Sequence, residues 1–269
     1  MNAAAAAASR PVVPSPYVVE FRGVTKCFEE KVILDDISFF VEDIPDKGEL
    51  ITVVGQSGCG KSTLCKLIAG LEPHYPPTRG EVLAFGTRVE GPSSDRGVVD
   101  QKYSLLPHLT VLGNVAFGLK LQGVPRRERE SQALEWLRKI DLGGAAARYP
   151  FELSGGMQQR VAIAATLILH PRIIIMDEPF GALDPKIRIQ MQALLVSLWQ
   201  EQESTVFFVT HSAEEAVYLG DRVLRMRSNP GTIAEIIPAP RPDRPLKEMR
   251  KEAGFRELCD HIREKLEQP

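Results

Sequence analysis

The segment from Glu49 to Leu71 most constrains the fold of this chain. It begins with the apolar run ELITVV, continues through the glycine-rich stretch GQSGCGKST and ends with LCKLIAGL, which has the pattern of a helix. This succession predicts a buried parallel strand, a loop and a helix. A buried strand needs further strands beside it and helices over both faces, so the segment predicts an α/β fold.

The glycine-rich stretch fits the phosphate-loop pattern G-x-x-x-x-G-K-[ST], and it lies between a strand and a helix as that pattern requires. Its backbone N–H groups can surround phosphates, Lys61 can contact the β- and γ-phosphates, and the Ser62 hydroxyl can bind Mg²⁺. A plain glycine-rich turn is the alternative, which the flanking elements disfavour. The predicted nucleotide-binding residues of the loop are Gly55, Gln56, Ser57, Gly58, Cys59, Gly60, Lys61, Ser62 and Thr63.

A second buried strand is predicted at RIIIMDEP, and it ends in two acidic residues. Parallel α/β sheets bind ligands at the carboxyl ends of their strands, which is where Asp177 and Glu178 fall. Asp177 is predicted to hold Mg²⁺, and Glu178 is the natural general base for a water that attacks a γ-phosphate. The alternative, a solvated acidic turn, is less compatible with a phosphate loop in the same chain.

The remaining sequence predicts how the chain is divided. Residues 1–16 are interpreted as a flexible tail, 17–237 as the main domain and 238–269 as a proline-rich linker with a terminal helix. Helical patterns at about 103–163 predict an inserted helical sub-domain, which includes a helical stretch over Leu105 to Leu112. Asp184 with Pro185 predicts one helix start, and Ser212 with Glu215 predicts a capping box at another.

Composition narrows the class of protein. The net charge of −2 gives no indication of nucleic acid as a partner, and the four cysteines form no C-x-x-C pair. No apolar run approaches the roughly 18–20 residues that span a bilayer. The sequence therefore indicates an intracellular globular protein, which would need a membrane-spanning partner if it worked at a membrane.

The segment LSGGMQQR predicts a second helix that begins with glycines. Ser154, Gly155 and Gly156 can present backbone N–H groups at the helix N-terminus, which favours an anion. The chain already has a complete phosphate loop about a hundred residues earlier. The sequence thus raises the question of whose phosphate the second segment binds.

Taken together, these motifs resemble those of ATP-binding-cassette ATPases. GQSGCGKST, Gln101, LSGGMQQR, MDEPFGALD and His211 occur in the order found in that family, and the resemblance covers nearly the whole chain after Tyr17. LSGGMQQR is the most specific element, because other phosphate-loop proteins lack it. The resemblance implies a P-loop NTPase (RecA-like) core, an antiparallel β sub-domain and an inserted helical sub-domain. It implies ATP and Mg²⁺ as cofactors, and ATP hydrolysis coupled to transport through a separate permease.

The resemblance also implies roles for single residues. Gln101 resembles the glutamine that contacts Mg²⁺ or the attacking water, and His211 the switch histidine that contacts the γ-phosphate. Asp184 resembles the acidic residue through which two subunits communicate, although it can also serve as a helix cap. Phe28 resembles the aromatic residue that stacks on adenine, and it can equally be part of the core. In this family the signature segment binds ATP held by the other subunit, so Ser154 and Gly156 would complete a partner's site in a closed dimer.

Other stretches resemble importer ATPases of the nitrate, sulfonate and taurine group. These are LLPHLTVLGNVAFGL, MDEPFGALDP, VTHSAEEAVYLGDRV and SNPGTI. The chain departs from the family at Asp100, Ala165 and Ser212, and its connection into the phosphate loop is longer than usual. None of these departures removes a catalytic group, so they bear on the substrate more than on ATP hydrolysis.

The sequence is therefore interpreted as the ATPase subunit of an importer for a small anion. It would act as a homodimer, or paired with a second ABC subunit, as a peripheral protein on the cytoplasmic face of the inner membrane. Its partners would be permease subunits and, indirectly, a periplasmic or extracellular binding protein, with no nucleic acid. The alternatives are an ABC importer of another substrate, an exporter or extrusion system, a non-transport ABC protein and an unrelated P-loop kinase.

Overall fold

The computed structural model describes residues 15–44, 47–100, 105–240, 242 and 244–267. The strands are β1 (Tyr17–Phe28), β2 (Lys31–Glu42), β3 (Leu50–Val54), β4 (Arg79–Ala84), β5 (Thr87–Arg88), β6 (Arg96–Val99), β7 (Ile173–Asp177), β8 (Thr205–Val209), β9 (Arg222–Arg227) and β10 (Thr232–Pro238). The helices are α1 (Lys61–Ala69), α2 (Val111–Val115), α3 (Phe117–Leu121), α4 (Arg126–Lys139), α5 (Gly155–Leu167), α6 (Pro185–Gln200), α7 (Ala213–Leu219), α8 (Leu246–Met249) and α9 (Ala253–Glu267). None of the helices in these ranges is long and apolar enough to cross a membrane.

Two sheets organise the chain. A six-stranded sheet has the order β10-β9-β3-β8-β7-β6, in which every pair is parallel except β10 with β9. An antiparallel sheet has the order β2-β1-β4-β5. The predicted α/β class with a mainly parallel core and an antiparallel β sub-domain is confirmed.

The strands of the large sheet are buried on both faces because they are apolar at successive positions. Leu50 and Val54 of β3 face the cluster formed with helices α2 to α7, whereas Ile51 and Val53 face the cluster formed with α1 and the antiparallel sheet. Adjacent side chains of a strand point to opposite faces, so one short strand contributes to both cores. This double burial holds the carboxyl ends of β3, β7 and β8 at one edge of the sheet.

The helical region lies between β6 and β7 in the chain, and α2 to α5 pack together there. The prediction that residues from Leu105 onward are helical was wrong. Residues 105–110 contain no helix, because Thr110 caps α2 by accepting a hydrogen bond from the Gly113 N–H at 3.1 Å. Only Val111 and Leu112 of the predicted stretch are helical.

The start of α7 differs from the predicted capping box. The Ser212 hydroxyl accepts a hydrogen bond from the Glu215 N–H at 3.3 Å, but the Glu215 carboxylate does not return to the Ser212 N–H. That carboxylate is buried and instead accepts hydrogen bonds from Gln192 and Thr210. The Thr210 hydroxyl accepts the Ser212 N–H at 3.1 Å, so tertiary partners have replaced half of the local motif.

The C-terminal region forms two helices separated by residues 250–252. Phe255, Cys259 and Ile262 of α9 are buried, and Leu258 and Leu266 pack against the same core at partial exposure. Together these residues form one apolar face of α9. The face packs on α7.

Candidate nucleotide-binding site

The glycine-rich loop joins β3 to α1 in the conformation that its glycines permit. Gly58 and Gly60 have φ angles of 80° and 94°, in the left-handed region that side-chain-bearing residues rarely adopt. At Gly60 a Cβ would also lie 2.5 Å from Leu34 Cδ2. No side chain in the described part of the chain caps the N-terminus of α1, so its N–H groups remain directed at the loop's concave face. This arrangement fits a phosphate group.

Lys61 lies over this loop. Its ammonium group donates hydrogen bonds to the Gly55 and Gln56 carbonyls, each at 2.9 Å, and the residue is only 6% exposed. A buried charge needs polar partners because it has lost its contact with water. The two carbonyl groups supply these partners and hold the Lys61 ammonium group at the mouth of the loop. The loop therefore brings together backbone donors and one fixed cation.

Ser62 and Asp177 meet at the end of β7. The Ser62 hydroxyl donates a hydrogen bond to Asp177 Oδ1 at 2.8 Å, and Lys66 Nζ lies 3.9 Å from Asp177 Oδ2. Burial raises the pKa of the Asp177 carboxyl, because its charged form has lost water. A hydroxyl and a desolvated carboxylate side by side fit Mg²⁺, a hard cation that takes oxygen ligands.

Glu178 follows Asp177 and is held in an uncommon conformation. Its φ is 47°, and its N–H donates a hydrogen bond to the Val209 carbonyl at 3.2 Å. Backbone strain of this kind persists where the surrounding structure determines it, and it is frequent at functional sites. Glu178 Oε2 lies 3.6 Å from His211 Nδ1. A carboxylate and an imidazole thus lie together at the carboxyl ends of β7 and β8.

Phe28 lies at the end of β1, in the hairpin whose other strand contacts Gly60 through Leu34. The His74 ring meets it edge-on at 5.2 Å, and Lys26 Nζ lies 5.0 Å from the Phe28 ring centroid. Burial and the nearby cations Lys66 and Lys26 lower the pKa of His74, which favours a neutral imidazole. Phe28 is partly exposed, so its ring can be contacted from outside.

The signature segment lies at the N-terminus of α5. The Ser154 hydroxyl accepts a hydrogen bond from the Met157 N–H at 3.4 Å, which is a long bond. A Cβ at Gly156 would lie 2.8 Å from Ile187 Cγ2, so this glycine allows α5 to approach α6 closely. Within the described ranges, no hydrogen bond joins Ser154, Gly155 or Gly156 to the phosphate loop.

Asp184 begins α6. Its Oδ1 atom accepts hydrogen bonds from the Lys186 and Ile187 N–H groups, both at 3.1 Å, and the residue is exposed. The predicted helix start at Asp184 and Pro185 is confirmed. Because Ile187 contacts Gly156, Asp184 and the signature segment lie close to one another on the molecule.

The structure therefore brings most predicted residues into two groups. One contains the phosphate loop, Asp177, Glu178 and His211, and the other contains the signature segment and Asp184. Gln101 lies outside the described residues. The sequence interpretation missed Lys66, although its position four residues after Ser62 on α1 places both on one helix face. It also missed the buried contacts of Glu215, for which the sequence held no signal.

A groove of about 420 Å³ separates the core from the helical region. We call it the helical groove. Leu121, which lines it, is 72% exposed, so the groove has an apolar wall that faces solvent. Other lining residues are Val99, Leu105, Leu106, Phe117 and Leu169.

Comparison with known proteins identifies the family. The model of the ABC transporter family matches residues 34–181, a range that holds the phosphate loop, the signature segment, Asp177 and Glu178. The chain belongs to the ABC transporter family. It is an ATP-binding and ATP-hydrolysing subunit of that family, and its cofactors are ATP and Mg²⁺.

Similar proteins match most of this ABC protein. A taurine import ATP-binding protein of Rhizobium johnstonii is 53% identical over 200 residues, which cover 74% of each chain. A nitrate import ATP-binding protein of Synechocystis is 48% identical over 202 residues, which cover 75% of this chain and 73% of the relative. An ABC transporter ATP-binding protein of Methanocaldococcus jannaschii is 49% identical over 223 residues and 81% of each chain.

A solved structure supports the same assignment. The ATP-binding cassette MJ0796, determined as a dimer in a post-hydrolysis state with ADP and phosphate, superposes with a TM-score of 0.70 at 33% identity. The match covers 82% of this chain and 99% of that chain. The predicted P-loop ATPase fold is therefore confirmed at the level of a whole domain.

Proposed function

We propose that this ABC ATPase powers the import of a small anion of the taurine, sulfonate or nitrate type. The observation that carries the proposal is the identity of 53% and 48% to taurine and nitrate import ATP-binding proteins over about three quarters of this chain. The transported anion would be captured by a separate binding protein, so its identity is not encoded at the ATP site. Residues 17–237 would form the nucleotide-binding domain, with the helical sub-domain at about 103–163.

In the proposed reaction, the phosphate loop and Lys61 hold the β- and γ-phosphates. Ser62 and Asp177 would hold Mg²⁺, and the ion when bound would supply positive charge beside the phosphates. Glu178 accepts the proton of the attacking water, and His211 contacts the γ-phosphate and orients the Glu178 carboxylate. The 2.8 Å contact between Ser62 and Asp177 and the 3.6 Å contact between Glu178 and His211 support these roles.

Three further roles extend this site. Gln101 would contact Mg²⁺ or the attacking water and link the core to the helical region. Phe28 would stack on adenine, which its partly exposed ring at the β1–β2 hairpin supports. Asp184 would communicate with a second subunit, and its exposure beside the signature segment supports this role.

The signature segment would serve the ATP of a second subunit. Among the described residues, the Ser154 hydroxyl has one hydrogen bond, the long one within its own helix, so it retains capacity for another partner. We therefore propose a dimer of two copies, or of this chain with another ABC subunit, in which each ATP contacts Lys61 of one chain and Ser154 and Gly156 of the other. The dimeric state of the solved cassette supports this arrangement.

We further propose that the subunit docks on a membrane permease at the cytoplasmic face. The helical groove is the proposed docking site, because its apolar lining can accept a short helix of a partner. Leu106 lines the groove, whereas Leu112 packs partly buried against the core. The proposal therefore assigns the docking role to Leu106 and Leu121.

Reconstitution tests the transport proposal. The chain is purified with the permease encoded beside it, placed in liposomes and supplied with the neighbouring binding protein loaded with taurine, an alkanesulfonate or nitrate. Uptake and a rise in ATP hydrolysis with one of these anions are expected. Stimulation by another class of solute would identify a different importer, and export of a membrane component without any binding protein would contradict import.

The same preparation tests the docking site. Leu121→Glu places a charge on an exposed wall of the groove and should abolish stimulated transport while the isolated subunit still hydrolyses ATP. Phe40→Glu is the matched control, because Phe40 is 49% exposed on β2 of the other sheet. Normal transport by Leu121→Glu, or equal loss with Phe40→Glu, would contradict docking at the helical groove.

A further inference from the structure

The side chain of Gln56 connects the phosphate loop to the far end of the chain. Its main-chain carbonyl accepts a hydrogen bond from Lys61 Nζ at 2.9 Å. Its side chain leaves the loop, where Nε2 donates to the Leu266 carbonyl at 3.1 Å and Oε1 accepts from the Ser228 hydroxyl at 3.1 Å. The main chain of Gln56 is therefore hydrogen bonded to Lys61, and its side chain is hydrogen bonded to the C-terminal helix.

Leu266 lies in the last turn of α9, where carbonyl groups have no partner within the helix. Gln56 supplies such a partner across 210 residues of sequence. The glutamine amide is suited to this task because it donates and accepts at once. The phosphate loop and the end of α9 thus stabilise each other's position.

The body of α9 is fixed on α7. Cys259 and Ile262 are buried, and Arg250, just before α9, forms a two-pronged ion pair with Glu214 at 2.6 and 2.7 Å. Helix α7 begins at Ala213, two residues after His211. The C-terminal helix therefore contacts both the phosphate loop and the helix that follows the histidine of the site.

We propose that Gln56 is a positioning residue through which α9 holds the phosphate loop in its ATP-binding conformation. The inference rests on the proposed binding of ATP by this loop. A loop ordered before binding does not lose further conformational freedom when ATP arrives, so anchoring it raises affinity. The competing explanation is that Gln56 only caps α9, in which case removing its amide would affect the helix and leave ATP affinity unchanged.

A double-variant experiment on the purified subunit separates these explanations. Gln56→Met keeps the length of the side chain and removes both the donor to Leu266 and the acceptor for Ser228. Ending the chain at Arg263 removes the Leu266 carbonyl and keeps the buried residues of α9. Equilibrium binding of a fluorescent ATP analogue is measured for each variant and for the combination. Arg256→Met is the matched control, because Arg256 is exposed on α9 and, among the described residues, donates to the carbonyls of Lys251 and Glu252 and not to the phosphate loop.

Each single change should raise the Kd for ATP about two- to tenfold, the worth of one hydrogen bond. The combination should bind ATP no more weakly than Gln56→Met alone, because that substitution already removes the contact to Leu266 that the shortened chain lacks. Unchanged affinity in Gln56→Met, or losses that multiply in the combination, would overturn the inference. Lys61→Ala is included as a separate arm: if it binds ATP normally, the loop assignment itself has failed.

Hydrogen exchange on the full chain gives a second test that does not need the shortened protein. Saturating Mg-ATP should slow exchange of the last turn of α9 in the wild type, since coupling between two sites is reciprocal. In Gln56→Met this protection should disappear while exchange in α4 stays the same. Equal protection of the last turn in both proteins would also overturn the inference.

Discussion

Two segments of this chain begin helices with glycines, yet they differ in what surrounds them. The phosphate loop contains Lys61 and Ser62, and Ser62 is hydrogen bonded to Asp177 of the same chain. Among the described residues, no side chain caps α1. The signature segment is capped by its own Ser154, and no cation of the same chain is hydrogen bonded to it within the described ranges. The first segment combines backbone N–H donors with a lysine and a hydroxyl group, which together can bind a phosphate. The second segment offers backbone N–H donors without a neighbouring cation hydrogen bonded to it in the described ranges. The comparison supports the proposal that the second segment is one half of a site.

The largest expected effect comes from removing the proposed base of the complete site. Glu178→Gln keeps the shape of the side chain but cannot accept a proton, so hydrolysis should fall about 10²- to 10⁴-fold. ATP should still bind, and gel filtration with Mg-ATP should show a lasting dimer. Phosphate release measures the loss.

Glu201→Gln provides the control for that variant, because Glu201 is an exposed carboxylate paired with Lys139. It should hydrolyse ATP at the wild-type rate. Rapid hydrolysis by Glu178→Gln would exclude Glu178 as the base. It would also weaken the view that the residues around the phosphate loop are catalytically complete.

The next effect is on binding. Lys61→Ala removes a buried cation from the phosphates, and the loss of charge-assisted hydrogen bonds should raise the Kd for ATP about 10- to 100-fold. Isothermal titration with ATP measures this change. Lys120→Ala removes an exposed lysine of α3 and should bind ATP normally. Equal affinity in the two variants would mean that the loop does not hold the phosphates.

Mixing two defective chains tests the half-site directly. Ser154→Arg and Lys61→Ala should each fail to form an ATP-bound dimer. In a mixed dimer, one site pairs intact Lys61 with intact Ser154 of the other chain, and the second site carries both defects. Adding Glu178→Gln to both chains removes hydrolysis as a complication. Partial recovery of the dimer on mixing is expected, measured by gel filtration with ATP.

One outcome of the mixing experiment would contradict the proposal that Ser154 serves the ATP of the other subunit. If Ser154 served its own chain's ATP, both sites of the mixed dimer would carry one defect. Mixing would then give no more dimer than either variant alone. Either result is informative because the two arrangements differ in where the intact groups meet.

Local motifs in the sequence predicted the elements that carry the site. The strand before Asp177, the loop before α1 and the cap at Asp184 depend on short-range patterns, and the structure has them where the sequence indicates. Short-range patterns could not predict contacts between residues that are far apart in the sequence. The bond from Gln56 to Leu266 and the pairing of Glu215 with Gln192 arise only when distant elements pack.

The capping box shows why the sequence could mislead. Ser and Glu three residues apart favour a reciprocal local pair, but a buried carboxylate takes the partners that the fold supplies. For Glu215 those partners are Gln192 and Thr210, and the Thr210 hydroxyl then satisfies the Ser212 N–H. Tertiary contacts therefore determine the partners of the Glu215 carboxylate, although the local sequence pattern predicts a capping box.

The smallest expected effect compares the two helix caps beside each other on the surface. Asp184 accepts two hydrogen bonds at 3.1 Å, whereas Ser154 accepts one at 3.4 Å. Asp184→Ala should therefore lower the free energy of unfolding by about 1 kcal/mol, and Ser154→Ala by less than about 0.5 kcal/mol. Urea denaturation of the isolated subunit measures both. ATP-driven dimerisation should show a clear loss in Ser154→Ala, because its hydroxyl contributes little to its own helix and is available to the partner's phosphate. If Ser154→Ala were instead the more destabilising change and dimerised normally, Ser154 would be a structural cap and the signature segment would not depend on its hydroxyl.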